Sequence, residues 1–217
     1  MPFTQAECDR IAALYTAIEN NKAHKCAAPT YKDSPYLAEM AAIAAQKLDT
    51  DAAARGDLIA VYTYLTDCYD RMGREGMSVK WYPALLSAHV RQMADGGGEE
   101  EEDELDDCFY RAVKARNTYA PDDCADLAAL VRGTIPEERI SLLLSAAQNA
   151  CRQSIRQDPV EMTDEYLAVI DEVERRIAET QTVDICFAYW HLKAMLLWEH
   201  GIPWRSPAAL NPNVMFD

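Results

Sequence analysis

Glycine is scarce: the chain has eight in 217 residues, three of them consecutive at Gly96 to Gly98. No P-loop or nucleophile-elbow spacing occurs, and the glycine run lacks the preceding strand that a dinucleotide fingerprint requires. Long apolar runs are missing too. The longest stretch without Asp, Glu, Lys or Arg is 12 residues, Ile140 to Cys151, whereas a membrane-spanning helix needs about 20. Glu7, Asp9 and Arg10 stand where a signal peptide would place its apolar stretch, so a cytoplasmic location is expected. Cysteine is present in an odd number, seven, with no two closer than 16 positions. That pattern is neither a disulfide framework nor a zinc site, and it predicts reduced, buried thiols. None of the four histidines has a metal-ligand companion at helical spacing, so no metal or other cofactor is expected. Basic charge is also short. Against 36 acids stand 21 bases, a net charge of -15, and a field of that sign repels phosphate backbones and anionic lipid headgroups. Neither nucleic acid nor a membrane surface is an expected partner.

What is present is helix chemistry. Apolar residues make up 49% and charged residues 26%, a globular composition. Leu58, Val61, Tyr62, Leu65, Cys68, Tyr69 and Met72 form an unbroken stripe at i, i+3, i+4 and i+7 spacing, and no segment shows the alternation of a half-buried strand. The spacing predicts a single all-α domain over 1–217, with about nine helices stacked as antiparallel pairs. The first helix opens on the capping box Thr4 and Glu7, the second on Ser34 with Pro35. The third covers about Asp51 to Met72 and is closed by Gly73 and Gly76; the fourth runs from Ser78 to Met93. Nine acids and no base lie between Asp95 and Asp107, leaving only -6 for the rest of the chain. Residues 95–104 are read as a flexible acidic loop before a fifth helix beginning near Glu101, where acids suit the helix dipole. Later helices are expected at Pro121 to Arg132, Thr134 to Gln157, Thr163 to Glu179 and Val183 to His200. The last is apolar nearly all round and is expected to be the most buried. The apolar tail over 201–217 is expected either to dock on its own domain or to serve as a contact for a second copy of the chain.

A weak internal repeat accompanies this pattern. Asp67-Cys68-Tyr69-Asp70-Arg71 matches Asp107-Cys108-Phe109-Tyr110-Arg111 at an offset of 40, with Cys151 and Cys186 following at offsets of 43 and 35. Stacked helix pairs of about 40 residues would give such a period. Tyr62-x-x-Leu65-Thr66-x-x-Tyr69-x-x-x-Gly73 followed by Ser78-x-x-x-Tyr82 resembles a degenerate tetratricopeptide repeat. Thr66 replaces the family's close-packing glycine, Ser78 replaces its alanine, and no proline closes the second helix. The resemblance covers about 30 residues and implies a right-handed superhelix with a concave, peptide-binding face.

Three functional readings follow. The first is a non-catalytic helical scaffold binding a protein or peptide, with Arg71, Arg74, Lys80, Arg111 and Lys114 lining a groove that clamps a partner's carboxylate or phosphate. The second is a metal-dependent all-α hydrolase similar to the nucleotide pyrophosphohydrolases. Its acids would come from Glu161, Asp164, Glu165, Glu172 and Glu174, with Glu165 and Glu172 sharing a helix face. The third is a structural homo-oligomer joined through the tail. His89 lies on an apolar stripe and is expected in the core, and no residue is assigned a catalytic role.

Overall fold

The computed structural model describes residues 2–25, 28–47, 52–121, 123–152, 154–180 and 186–216. Among them are ten α-helices and no strand: α1 (Gln5–Lys25), α2 (Ser34–Ala45), α3 (Ala52–Arg71), α4 (Glu75–Ala94), α5 (Glu99–Tyr119), α6 (Ala125–Val131), α7 (Glu137–Arg152), α8 (Asp164–Glu179), α9 (Cys186–Glu199) and α10 (Pro207–Leu210). A single 3-10 turn, Pro159–Met162, precedes α8. Each helix from α1 to α5 packs on the next in sequence, and α7 returns to α5. The short turns after α3 and α4 make antiparallel neighbours, so the expected stack of helix pairs is observed.

The α3–α4 hairpin is the most extensive helix pairing. Gly73 adopts φ +68°, and its N–H and that of Arg74 donate to the carbonyls of Asp70 (3.0 Å) and Tyr69 (2.9 Å), the Schellman closure that reverses the chain within three residues. Gly76 is no stop signal: it lies in the first turn of α4. A Cβ there would meet the Glu161 carbonyl oxygen at 2.6 Å, so its role is to let the 3-10 turn approach the helix backbone. Thr66 and Ser78 are both fully buried. The Ser78 hydroxyl donates to Asp70 (2.5 Å) and lies 3.2 Å from the Thr66 carbonyl, so small polar side chains occupy the closest crossing of the two helices.

Several boundaries differ from expectation. The capping box at Thr4 is present, with the Thr4 N–H donating to Glu7 (2.8 Å), but α1 continues past Asn21 to Lys25. The acidic run is helical, because α5 begins at Glu99 with Gly98 as its cap and Glu101 reaching back to the Gly98 N–H (2.8 Å). Only 95–98 is loop; four carboxylates in the first turn complement the dipole well enough to extend the helix to the glycines. Thr134 does not cap α7, which starts at Glu137 and ends at Arg152, and the Gln157 N–H donates to the Thr118 carbonyl (3.2 Å). Asp158 caps and Pro159 opens the 3-10 turn that carries Glu161 inward.

Two apolar cores result. The larger gathers α1 to α7 around Leu65, Tyr69, Tyr82, Leu86, Leu105 and Phe109. The smaller joins Tyr166, Ile170, Val173 and Ile177 of α8 to Leu196 and Leu197 of α9, and to Ile202 and Trp204 of the tail. Of the cysteines within the described residues, Cys68, Cys108 and Cys124 are buried as expected, Cys151 and Cys186 half-buried, and Cys8 exposed; none is disulfide-bonded.

His89 is buried, and its Nδ1 has no hydrogen-bond partner among the described residues. Burial pushes its pKa below the ordinary value of 6.5. Its contribution to stability is therefore complete above about pH 6.5 and is lost as the pH falls toward the folded-state pKa, because the unfolded chain takes up the proton first. Between about pH 7.5 and 5.5, the melting temperature of the wild type is expected to fall more than that of His89→Gln. Glu75, raised above the usual carboxylate range by burial, works in the opposite direction, so the difference between the two proteins isolates the histidine. Parallel pH profiles would refute this assignment.

Candidate functional site

The five basic residues expected to line an anion groove differ in burial and in partners. Arg74 is buried and gives Nη1 to Asp171 (2.5 Å) and Ser34 (2.8 Å), and Nη2 to Glu174 (2.7 Å). The Ser34 hydroxyl read as a helix cap thus serves the guanidinium instead. Arg111 binds Asp67 and also meets Asp70 (3.4 Å), which in turn accepts from Ser78 and the Tyr82 hydroxyl (3.1 Å). Lys80 pairs with Asp164 at the surface, and Arg71 and Lys114 are exposed. The guanidiniums of Arg74 and Arg111, which looked suited to a partner's carboxylate, pair with the chain's own carboxylates.

The candidate metal ligands are likewise dispersed. Asp164 is held by Lys80 and Glu174 by Arg74, while Glu165 and Glu172 are exposed. Arg175 pairs with Glu179 (2.8 Å) and Arg176 with Glu199 (2.7 Å). Among the described residues no group of three His, Cys, Asp or Glu side chains is placed to hold a metal ion.

Glu161 has a separate environment. It is 6% exposed and accepts from the Trp204 indole N–H (2.5 Å), while the Lys193 ammonium, itself 9% exposed, stands 3.6 Å from the same oxygen. Lys193 Nζ also lies 4.6 Å from the Trp204 ring centroid and 5.4 Å from that of Tyr166, within cation–π range of both. Nearby, burial disfavours ionisation of Asp158, but hydrogen bonds from the Arg205 side chain and from the Arg205 and Val160 N–H groups outweigh it and hold the carboxyl below its usual range. Asn211 closes the docked tail by exchanging hydrogen bonds with the backbone of Arg156 (2.9 and 3.0 Å). These bonds fold the tail onto the chain's own 156–161 segment, so Ile202, Trp204 and Asn211 are not available to a second copy; Val214 and Met215 remain exposed.

The expectation that the last long helix is the most buried is overturned. In α9 only Lys193, Leu196 and Leu197 are buried, whereas Phe187 is 50%, Met195 50% and Trp198 69% exposed. An all-round apolar helix needs neighbours all round, and α8 and the tail cover one side alone. Met195 and Trp198, with His191, Ala194, Pro203 and Trp204, line an open cleft of about 810 Å³. Among the described residues no helix is long and apolar enough to cross a membrane. No family model, curated protein or solved structure matches the chain.

Proposed function

We propose that the protein is a helical scaffold that docks a partner protein through the outer face of α9. The supporting observation is the set of large exposed side chains on α9 itself, Phe187, Met195 and Trp198. Exposed apolar area of this kind marks interaction surfaces in folded proteins, and Trp is prominent among the residues that dominate binding energy. With a net charge of -15, the chain suits an apolar partner segment flanked by Lys or Arg, whose approach its field would steer. The resemblance of the α3–α4 hairpin to a tetratricopeptide repeat supports the scaffold reading, and the lack of disulfides among the described cysteines fits a reducing compartment.

Trp198→Glu tests this. Because Trp198 is mostly exposed, the variant should keep its stability within about 0.5 kcal/mol while losing any partner that photo-crosslinks to a probe at position 195 in the producing cell. An unchanged set of crosslinked proteins would overturn the reading. Self-association in sedimentation equilibrium that Trp198→Glu abolishes would instead assign the face to a second copy of the chain.

A further inference from the structure

Behind the exposed face, the inner side of α9 borders a distinct open cavity of about 370 Å³, lined also by the 3-10 turn and the docked tail. That volume lies toward the lower end of the range for small-molecule sites, about 300–1,000 Å³. Its lining combines Glu161 and Lys193 with the rings of Tyr189, Trp190, Trp204 and Phe216. Trp190 and Phe216 meet edge to face at 5.0 Å. We infer that this cavity binds a free aromatic amino acid, its carboxylate on Lys193, its ammonium on Glu161 and its ring among the aromatic walls.

The incomplete bonding of Lys193 carries the argument. An ammonium has three N–H donors and no acceptor, and donors that the protein does not meet are open to a ligand that enters the cavity. Among the described residues Nζ makes no hydrogen bond; the 3.6 Å approach to Glu161 is an ion pair beyond hydrogen-bond length, and the two rings supply only quadrupole attraction. Glu161 uses one oxygen for Trp204 and Lys193, and the other has no partner among the described residues. A donor and an acceptor, their side chains 11% and 7% exposed, thus line the same cavity side by side with bonding capacity in hand.

Charge selects the ligand class. A simple carboxylate on Lys193 would be brought against the Glu161 carboxylate, and a simple amine on Glu161 against the Lys193 ammonium. A zwitterion satisfies both groups and leaves the cavity neutral. Four aromatic side chains then favour a ligand with a ring, through offset or edge-to-face packing. The cavity admits one amino acid and is too small for a peptide.

Calorimetric titration of the full chain with L-phenylalanine, L-tyrosine and L-tryptophan, and with 3-phenylpropionate, phenethylamine and uracil, tests the assignment. At least one amino acid should bind saturably, with the one-charge analogues at least about tenfold weaker, a difference of about 1.4 kcal/mol. Lys193→Met retains the apolar stem and should abolish binding. Cys186→Trp, a substitution at a cavity-lining position that leaves both charges in place, should do the same by filling the space, with helix content in both variants verified by circular dichroism. Failure of all three amino acids to bind overturns the inference. So does equal binding of 3-phenylpropionate or phenethylamine, preference for uracil, or unimpaired binding by the two variants.

Discussion

Arg74→Met is expected to lower the unfolding free energy by about 3 kcal/mol, the lower end of the range for removing one partner of a buried ion pair. Arg74 is 7% exposed and joins the α3–α4 turn to two carboxylates of α8 and to the first residue of α2. Its loss leaves Glu174, whose side chain is largely buried, without its counter-charge, while half-exposed Asp171 can recover water; that difference sets the estimate at the low end. Urea denaturation of Arg74→Met, Glu174→Gln and the double variant would give the coupling energy directly. A loss below about 1 kcal/mol, the scale of a surface pair, would mean that α8 is held on the larger core by other contacts. Gly76 against the Glu161 carbonyl, and the Lys80–Asp164 ion pair between α4 and α8, would then be the candidates.

The contrast between α3 and Arg74 shows what was legible in the sequence. The stripe from Leu58 to Met72 is a local pattern, and it predicted both the helix and its buried face because 3.6-residue periodicity acts within one element. The Thr4–Glu7 box and the turn at Gly73 were legible for the same reason, since their partners lie within a few residues. Arg74 meets acids about 100 positions away, and nothing in its neighbourhood distinguishes a buried cross-link from a surface charge. In α9 the apolar composition does not bring the burial expected of it. Apolar residues around a whole helix imply burial only where the fold supplies enough neighbours, and near the end of the described chain α9 has α8 and the tail. Glu161 was grouped with the acids of the following helix; the 3-10 turn around Pro159 and the close approach permitted by Gly76 separate it from them and turn it inward. The one advance signal for that cavity was the docking tail, whose Ile202 and Trp204 were too apolar to leave in water.

That tail supplies the second large effect. Trp204→Ala is expected to cost about 3–5 kcal/mol, the usual range for emptying a buried aromatic site. The indole is 8% exposed, belongs to the smaller core and also stacks on the Lys193 ammonium. Trp204→Phe keeps a ring in the core but removes the N–H donor to Glu161, and should cost about 1.5–3 kcal/mol, the range for a hydrogen bond to a charged group. Hydrogen exchange should localise the damage: amides of α8, α9 and the 202–211 segment would lose protection, while those of α3, α4 and α5, in the larger core, would keep theirs. Uniform loss across the chain would instead mean that the two cores unfold as one cooperative unit, with the Arg74 cross-link strong enough to transmit the defect. Equal costs for Trp204→Ala and Trp204→Phe would show that the indole N–H, rather than the ring, dominates the docking of the tail, and would make the Glu161 carboxylate its principal anchor.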